Sequence, residues 1–388
     1  MIYLMILAYT IYLVANYDGN KTKSGFETHF RFLLLISTMI GGLSYRLGID
    51  TLRFEDMYNT FNVYAQYNYE DFLLSCNEPI WYFLQMIIKK TGADFWVFRL
   101  AVLGFVNTTI FWFVKKYSPA VFFSILVYFI YSYFAFNFQV TREAMAVAFS
   151  LIGLDCFLSN KRQGLLWFLF WVTIAVFCHH FAFIAIVLPF ATRIRNGKWF
   201  IVVFIVSFLL SAFLQTFFSE LGMLDENLAE RMEDYLKDEK QGYKSGISII
   251  MLVKNLIMSV LPIYLCVLYS RTPKIKDDFY GITLAYVMVG VLTLTSLGIM
   301  YRLRNYLAVP MAISMGGFYF SCIKGSIEKF KLFKINIIKL ALLVWLFFAP
   351  LYTLFSSRLW PMYIPYSSVL FEKEDETREA LYHAMGEY

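Results

Sequence analysis

The sequence Asn-Phe-Gln-Val-Thr-Arg-Glu-Ala-Met-Ala (137–146) opens the stretch that decides the fold, which runs on to Pro189. An apolar span follows, then Asn-Lys-Arg (160–162), and then a second apolar span that closes on Cys-His-His (178–180). A charged side chain in or beside a membrane segment is costly, so Arg142 is interpreted first as functional. Its expected partner is an anion.

The composition is typical of a membrane protein. Of 388 residues, 59% are hydrophobic, 20% are aromatic and only 16% are charged. A soluble protein carries about 25% charged residues. Apolar runs recur from end to end, which predicts an all-α polytopic membrane protein with a single transmembrane domain over residues 1–388. The net charge of +6 is then explained by loop topology, and no nucleic-acid partner is expected.

The apolar runs predict about 12 transmembrane helices. Lysine and arginine collect after every odd-numbered span, so the positive-inside rule places both termini outside. The outer loops are then 46–94 and 215–246, the second with an amphipathic helix, and the tail 354–388 forms a small outer cap. The spans are expected at about 2–15, 30–45, 95–114, 119–136, 143–158, 164–178, 181–192, 199–214, 247–269, 279–298, 305–322 and 335–353.

Nothing in the sequence demands a metal or another cofactor. The five cysteines are odd in number and form no Cys-x-x-Cys pair, so neither a disulfide framework nor a zinc site is expected. The histidine pair has no third ligand at helix or loop spacing, and no Asp-x-Asp pair occurs. Arginines are expected to neutralise anionic charge instead.

Several polar residues are predicted to lie on one side of the membrane. The spans beside Arg142 and His180 are shorter than the roughly 20 residues that cross a bilayer untilted. These side chains are therefore expected below the outer surface, in a funnel open to the outside. The residues at outer ends of spans or in outer loops are Asp50, Glu78, Gln139, Arg142, His179, His180, Arg302 and Arg304.

The arginines of this group favour a phosphate ligand. The guanidinium fork of Arg142 matches two phosphate oxygens. Arg302 and Arg304 add two cations on the side where the positive-inside rule disfavours them. The alternatives are a snorkelling arginine or an ion pair between Arg142 and Glu143, and for Arg302 and Arg304 a simple stop at the interface.

The histidines and the carboxylates are candidates for proton transfer. His179 or His180 can be the protonated partner of a diphosphate or a general base; the alternative is a structural histidine. Asp50 is the first choice for a base that deprotonates a hydroxyl nucleophile, or it holds a sugar ring; the alternative is a solvated loop acid. Glu78 is a weaker candidate of the same kind.

Five short motifs follow one another along the chain. They are Arg46-Leu-Gly-Ile-Asp50-Thr51, Glu78-Pro79, Arg142-Glu143-Ala-Met-Ala146, His179-His180-Phe-Ala and Arg302-Leu-Arg-Asn-Tyr306. Their order and spacing, over about residues 40 to 310, resemble the EpsG-like family of Wzy-type polysaccharide polymerases. In this alignment His180 takes the place of the family histidine, and His179 is additional.

The resemblance implies a glycosyltransferase that joins undecaprenyl-diphosphate-linked repeat units at the outer face of the bacterial cytoplasmic membrane. Its membrane fold would be similar to that of the C-type glycosyltransferases. The expected partners are the lipid-linked glycan donor and acceptor, membrane lipid and, as a further candidate, a chain-length regulator protein. The expected catalytic residues are Asp50, Arg142 and His180, and the expected substrate-binding residues are Arg46, Glu78, Gln139, His179, Arg302 and Arg304.

Two other functions remain open from the sequence alone. A flippase for lipid-linked oligosaccharide also runs to about twelve spans, but it needs anion contacts along its whole path and usually has two related halves. A ligase that moves the finished glycan to lipid A or to the wall shares the chemistry of a polymerase. A polymerase yields a longer glycan on the lipid carrier, a ligase yields a glycan on another acceptor, and a flippase yields no covalent product.

Overall fold

A computed structural model describes residues 2–48, 50–61, 78–159, 162–194, 202, 205–206, 257, 260–269, 277–295, 300–328, 333–356, 360–371, 376 and 380. The eighth predicted span, apart from three of its residues, and the predicted amphipathic helix within 215–246 lie outside these ranges. The described part of the chain is all-helical, with one isolated antiparallel bridge between Ser44 and Ser368 and no strand.

The helices lie close to the predicted spans. They are α1 (Ile2–Tyr17), α2 (Phe26–Gly42), α3 (Thr51–Thr60), α4 (Pro79–Lys90), α5 (Phe95–Tyr117), α6 (Val121–Tyr128), α7 (Thr141–Ser159), α8 (Gly164–Cys178), α9 (Leu188–Ala191), α10 (Leu261–Tyr269), α11 (Asp277–Thr295), α12 (Met300–Glu328) and α13 (Phe333–Ser356). Two π-helical turns, Phe129–Tyr133 and Ala135–Gln139, extend α6, and a 3₁₀ helix, His180–Val187, joins α8 to α9.

One helix in the described ranges, α5, is long and apolar enough to cross a membrane by length and composition. Six shorter apolar helices accompany it: Ile2–Tyr17, Val121–Tyr133, Gly164–Cys178, His180–Ala191, Asp278–Leu292 and Ala341–Tyr352. Large apolar side chains on their outer faces are exposed, such as Leu166 at 67% and Phe348 at 55%. Such faces fit a lipid environment. The helical membrane architecture is therefore supported, and the count of about 12 spans stays a prediction.

A buried polar network holds the end of the α6 extension. Arg99 donates from Nη2 to the Asn137 carbonyl oxygen at 2.8 Å, and Asn107 donates from Nδ2 to Oδ1 of Asn137 at 2.9 Å. Tyr128 in turn donates to Oδ1 of Asn107 at 3.1 Å. A π-helical turn disturbs the regular main-chain hydrogen bonds, and in an apolar bundle its polar groups need internal partners. The network supplies them just before Arg142.

The two ends of the bundle differ in character. Lys115 pairs with Glu27 at 2.6 Å and Lys116 pairs with Asp155, while Lys21 donates to the Lys115 carbonyl oxygen at 2.8 Å. These residues lie where α5 and α7 end and where α2 begins. The opposite end holds the starts of α3, α4, α7 and α12 and the end of α8, which are the positions of the predicted site residues.

Candidate functional site

A buried carboxylate, Glu78, lies at the centre of the site. It immediately precedes α4, and the residue is only 3% exposed. Its Oε2 lies 2.5 Å from Nη1 of Arg142, and its Oε1 lies 2.6 Å from Nδ1 of His179 and 3.3 Å from Nδ1 of His180. These four residues and Arg302 form what we call the Glu78 cluster. The members come from four places in the fold: the residue before α4, the start of α7, the end of α8 and the start of α12.

Arg302 extends the cluster from the other side. Its Nη1 lies 2.9 Å from Nε2 of His179. A guanidinium can only donate hydrogen bonds, so Nε2 is an acceptor and the ring is the neutral tautomer with its proton on Nδ1. That proton is donated to Glu78. The result is a continuous chain in which Arg302 donates to His179, and both His179 and Arg142 donate to one carboxylate.

Local backbone geometry brings both histidines to the same acid. Helix α8 ends at Cys178 because His179 is extended, with φ −155° and ψ 114°. The 3₁₀ helix then starts at once, and the Ala182 amide donates to the His179 carbonyl oxygen at 2.8 Å. His179 becomes buried, at 5% exposure, whereas half of the His180 side chain is accessible. His180 is therefore the more accessible of the two histidines.

Both arginines of the cluster lie over aromatic rings. The Arg142 guanidinium is 5.0 Å from the centre of the Phe54 ring, and that of Arg302 is 4.4 Å from the centre of the Phe181 ring. Such rings attract a cation and shield one face of it from water. A guanidinium has five N–H donors, so each can donate to an anion in addition to the contact made by its Nη1.

Asp50 lies near the cluster and has different electrostatics from Glu78. Burial raises the pKa of Asp50, and this outweighs the charges of Arg53, Arg142 and Arg302, which lower it. Burial also raises the pKa of Glu78, but the hydrogen bond from His179 and the charge of Arg142 prevail, so its pKa is below the usual range. Opposite shifts in neighbouring acids are typical of a base and a fixed anion.

A tight backbone contact fixes the loop that carries Asp50. Gly48 has a φ of +83°, and a Cβ atom at this position would lie 2.1 Å from the Phe138 carbonyl oxygen. The hydroxyl of Thr51 donates to the same carbonyl oxygen at 2.8 Å. Since Phe138 is four residues before Arg142, this contact couples the position of Asp50 to that of the arginine.

Three of the expected substrate-binding residues lie elsewhere. Arg304 donates to the Tyr286 hydroxyl at 3.0 Å and lies over that ring, because residues two apart on a helix face different directions. Arg46 lies 3.7 Å from Glu55, outside the Glu78 cluster. Gln139 ends the second π-helical turn and is partly buried. The two C-terminal arginines are thus separated, and only Arg302 joins the cluster.

Some contacts of the site were not expected from the sequence. Glu143, the alternative partner of Arg142, instead accepts a hydrogen bond from Nδ2 of Asn305 at 3.0 Å. Phe54 and Phe181 were also missed. Asn305 lies three residues after Arg302, on the same helix face, so helical spacing was a usable signal for it. No comparable signal marks Phe54, because its contact with Arg142 joins distant parts of the chain.

Glu78, His179 and His180 also have the spacing of a metal-binding group, since one ligand atom of each lies within 4.8 Å of the others. Sequence spacing offered no third ligand, and the fold supplies one from about a hundred residues away. In the present arrangement, however, Nδ1 of His179 carries a proton and Nε2 accepts from Arg302. Both ring nitrogens are engaged, and two guanidiniums adjoin the site. The charges of the two guanidiniums favour an anion over a cation at this site.

The arrangement suits chemistry at a phosphorylated centre. Two guanidiniums and a half-exposed imidazole can receive negative charge as it develops on a leaving group. A nearby carboxylate with a raised pKa, Asp50, can take a proton.

Comparisons with curated proteins and with solved structures give no match.

A comparison with protein families gives one finding, a match of residues 27–368 to the EpsG family. The match spans most of the chain and includes every residue of the Glu78 cluster, Asp50 and most of the described helices. It confirms the resemblance inferred from the five ordered motifs. The chain therefore belongs to the EpsG family, the family of Wzy-like polysaccharide polymerases.

Proposed function

We propose that this protein joins undecaprenyl-diphosphate-linked oligosaccharide repeat units into a surface polysaccharide by glycosyl transfer at the outer face of the bacterial cytoplasmic membrane. Family membership supports polymerase-type chemistry, and the apolar helices support a membrane location. The observation that carries the proposal is the Glu78 cluster at one end of the bundle. In it one guanidinium and two imidazoles contact a buried acid, and a second guanidinium contacts one of the imidazoles.

The donor is the growing glycan on its lipid diphosphate, and the acceptor is one repeat unit on a second carrier. An acceptor hydroxyl oxygen attacks the anomeric carbon, and the bond from that carbon to the diphosphate oxygen breaks. The electron pair leaves with undecaprenyl diphosphate, and the hydroxyl proton passes to the carboxylate of Asp50. Each sugar transfer thus exchanges one bond to the anomeric carbon for another and releases one lipid diphosphate.

Arg142, Arg302 and His180 stabilise the departing diphosphate. One preorganised donor aimed at developing charge is typically worth about 3 kcal/mol. The diphosphate replaces part of the contact that Glu78 makes with Arg142, and the hydrogen bond from His179 continues to stabilise the Glu78 carboxylate. Asp50 is suited to the proton because its pKa is raised by burial.

The test is a ladder assay with protein purified into lipid vesicles. The substrate is the lipid-linked repeat unit extracted from cells that express the protein, and products are separated by size. A ladder of products longer by whole repeat units supports the proposal. Movement of the lipid across the vesicle without a covalent product would replace it with a flippase. Transfer only to lipid A or wall acceptors would replace it with a ligase.

The same proposal includes a topology. The Glu78 cluster faces outside, both termini lie outside, and the pairs of Lys115 with Glu27 and of Lys116 with Asp155 lie at the cytoplasmic end. A membrane-impermeant thiol reagent tests this with single cysteines in an otherwise cysteine-free protein. A cysteine near the start of α3 is expected to react from outside, and one at Ser159 only after the cell is opened. The reverse pattern would contradict outer-face transfer.

A further inference from the structure

The C-terminal part of the chain folds back onto the loop that carries Asp50. Residues 360–371, which we call the C-terminal clamp, lie along the α2–α3 loop (43–50). Three main-chain hydrogen bonds join them, although more than 300 residues separate the two segments. They run from Val369 N to Leu43 O at 2.9 Å, from Tyr45 N to Ser367 O at 3.0 Å and from Gly48 N to Met362 O at 3.1 Å.

Side chains of the clamp satisfy carbonyl groups at the end of α2 and in the loop. Ser367 donates from Oγ to the Tyr45 carbonyl oxygen at 2.8 Å, and Ser368 donates to the Leu43 carbonyl oxygen at 3.0 Å. The Tyr366 hydroxyl donates to the Ile40 carbonyl oxygen at 3.1 Å. The last carbonyls of a helix have no partner within it. The clamp therefore supplies hydrogen-bond donors to carbonyl groups in the last turn of α2 and in the loop.

The clamp is itself anchored on the segment that leads to Arg142. Met362 is fully buried, and Tyr363 packs its ring against Phe134 and Phe138, with centroid distances of 5.8 and 6.3 Å. Phe138 is also the residue whose carbonyl contacts the Asp50 loop. The clamp thus contacts both the loop before Asp50 and the π-helical turn before Arg142, and it joins the two halves of the site.

The loop needs such support because its backbone is strained. Arg46 has a φ of +46°, a left-handed conformation that is uncommon for a residue with a side chain. Conformations of this kind persist only where the surroundings impose them, and they concentrate at functional sites. The clamp bonds the Tyr45 amide just before Arg46 and the Gly48 amide two residues after it. The strained residue is therefore held on both sides.

We infer that the C-terminal clamp positions Asp50 for proton transfer, so that residues Ser367 and Ser368 are positioning residues of the reaction and not only parts of an outer cap. This inference rests on the proposed function. It predicts a specific kind of defect: loss of the Ser367 and Ser368 hydroxyls slows transfer while the diphosphate still binds. These hydroxyls donate to the loop before Asp50, and the packing of Tyr363 beside the segment leading to Arg142 is kept. A displacement of about 1 Å at a reacting group can cost about 100-fold in rate.

The first test compares the double variant Ser367→Ala/Ser368→Ala with Ser367→Thr/Ser368→Thr, which keeps both hydroxyls. The alanine variant is expected to lower the single-turnover transfer rate by about tenfold or more. Its affinity for farnesyl diphosphate, a short isoprenoid diphosphate used as a probe of the diphosphate site, is expected to stay within about twofold of that of the unmodified protein. The threonine variant is expected to recover most of the rate. Ser159→Ala, at the other end of the bundle, is the matched control and leaves the rate unchanged. An unchanged rate in the alanine variant, or an equal loss of rate and affinity, would overturn the inference.

The second test restores the contact by a covalent bond. Ser44 and Ser368 face each other in the antiparallel bridge, and the flanking hydrogen bonds make them a non-hydrogen-bonded pair. Cα atoms of such pairs lie about 4.5 Å apart, within the range that a disulfide spans. Ser44→Cys/Ser368→Cys is expected to form a disulfide on oxidation, detected by mass spectrometry of the linked peptides, and to be active in this oxidised form. The reduced form lacks the Ser368 hydroxyl and is expected to be slower.

The decisive arm adds Ser367→Ala to this cysteine pair. Oxidation is expected to raise the transfer rate of the triple variant back toward that of the cysteine pair alone, because the disulfide replaces the lost tether. A disulfide that forms without any gain in rate would sink the positioning role, and failure to form it would sink the contact itself. If the unmodified protein makes no polymer at all, the proposed function fails, and this outcome is distinct from either.

Discussion

Arg302 donates a hydrogen bond to Nε2 of His179 across 2.9 Å, and this contact decides which ring nitrogen carries the proton. His179 is then a neutral donor to Glu78 from Nδ1. The neutral His179 ring thus links Arg302 to the buried acid Glu78 through two hydrogen bonds. Arg302 therefore acts on the acid indirectly, by fixing the orientation and the tautomer of the ring that donates to it.

The two C-terminal arginines are expected to differ sharply in importance. Arg302→Ala removes a guanidinium from the cluster, and we expect a loss of transfer rate of about 100-fold or more. Arg304→Ala removes a residue that contacts Tyr286 instead, and we expect a loss below about tenfold. Single-turnover assays of equal amounts of folded protein measure both. Equal losses would show that Arg304 also reaches the substrate.

Glu78 is expected to stabilise the fold as well as the site. Glu78→Gln removes the charge that compensates Arg142, and breaking a buried ion pair in this way costs about 3 kcal/mol. Thermal unfolding in detergent at pH 7 measures the loss. Glu55→Gln is the matched control, since its contact with Arg46 is longer, at 3.7 Å, and we expect a much smaller change. A similar loss in both variants would contradict a special role for Glu78.

The stability contribution of Glu78 has a defined pH dependence. Its pKa in the folded protein is lower than the ordinary value of 4.5. The contribution is therefore fully present above that ordinary value and is lost as the pH falls through the lowered pKa. Thermal unfolding of the original protein and of Glu78→Gln is expected to converge as the pH is lowered through this window. A difference between them that stays constant would argue against ionised Glu78.

The fall of the transfer rate at acid pH, the acid limb of the pH–rate profile, is expected to reflect protonation of Asp50. A base must be deprotonated to act, so the rate rises as the pH rises through the raised pKa of Asp50. Arg53→Gln removes a nearby positive charge that lowers this pKa, and it should move the limb to higher pH. Asp50→Asn should abolish transfer while farnesyl diphosphate still binds. An Asp50→Asn variant that keeps the limb would assign it to another group.

Two glycines provide a test of the close approach between the Asp50 loop and Phe138. Gly48 and Gly92 have similar positive φ angles, +83° and +79°, so alanine is strained at both, by about 1 kcal/mol. Only at Gly48 would the new Cβ meet a backbone oxygen, at 2.1 Å, whereas it meets nothing within 4 Å at Gly92. We expect Gly48→Ala to abolish transfer and Gly92→Ala to retain most of it. Comparable activity of the two variants would refute the contact.

The sequence was informative wherever a signal is local. Apolar runs located most of the described helices to within a few residues, although none marked α3, and helix ends located Arg142 and the histidine pair, because burial and length act over neighbouring residues. It could not show that Glu78 and His179, about a hundred residues apart, share a proton, since that contact depends on how distant helices pack. The different directions of Arg302 and Arg304 were predictable from helical geometry. The contact of residues 360–371 with the loop that carries Asp50 was not predictable from the sequence, because more than 300 residues separate the two segments.

The engagement of Arg142 by Glu78 has a consequence for selectivity. Without a ligand, the positive charge of Arg142 is already paired with Glu78. We therefore expect chloride or a single phosphate to bind weakly, because either must first displace this carboxylate. A ligand that succeeds has to bring more than one negative group and hold itself in place by other means. The proposed substrate, a diphosphate tethered to a lipid tail, meets both conditions.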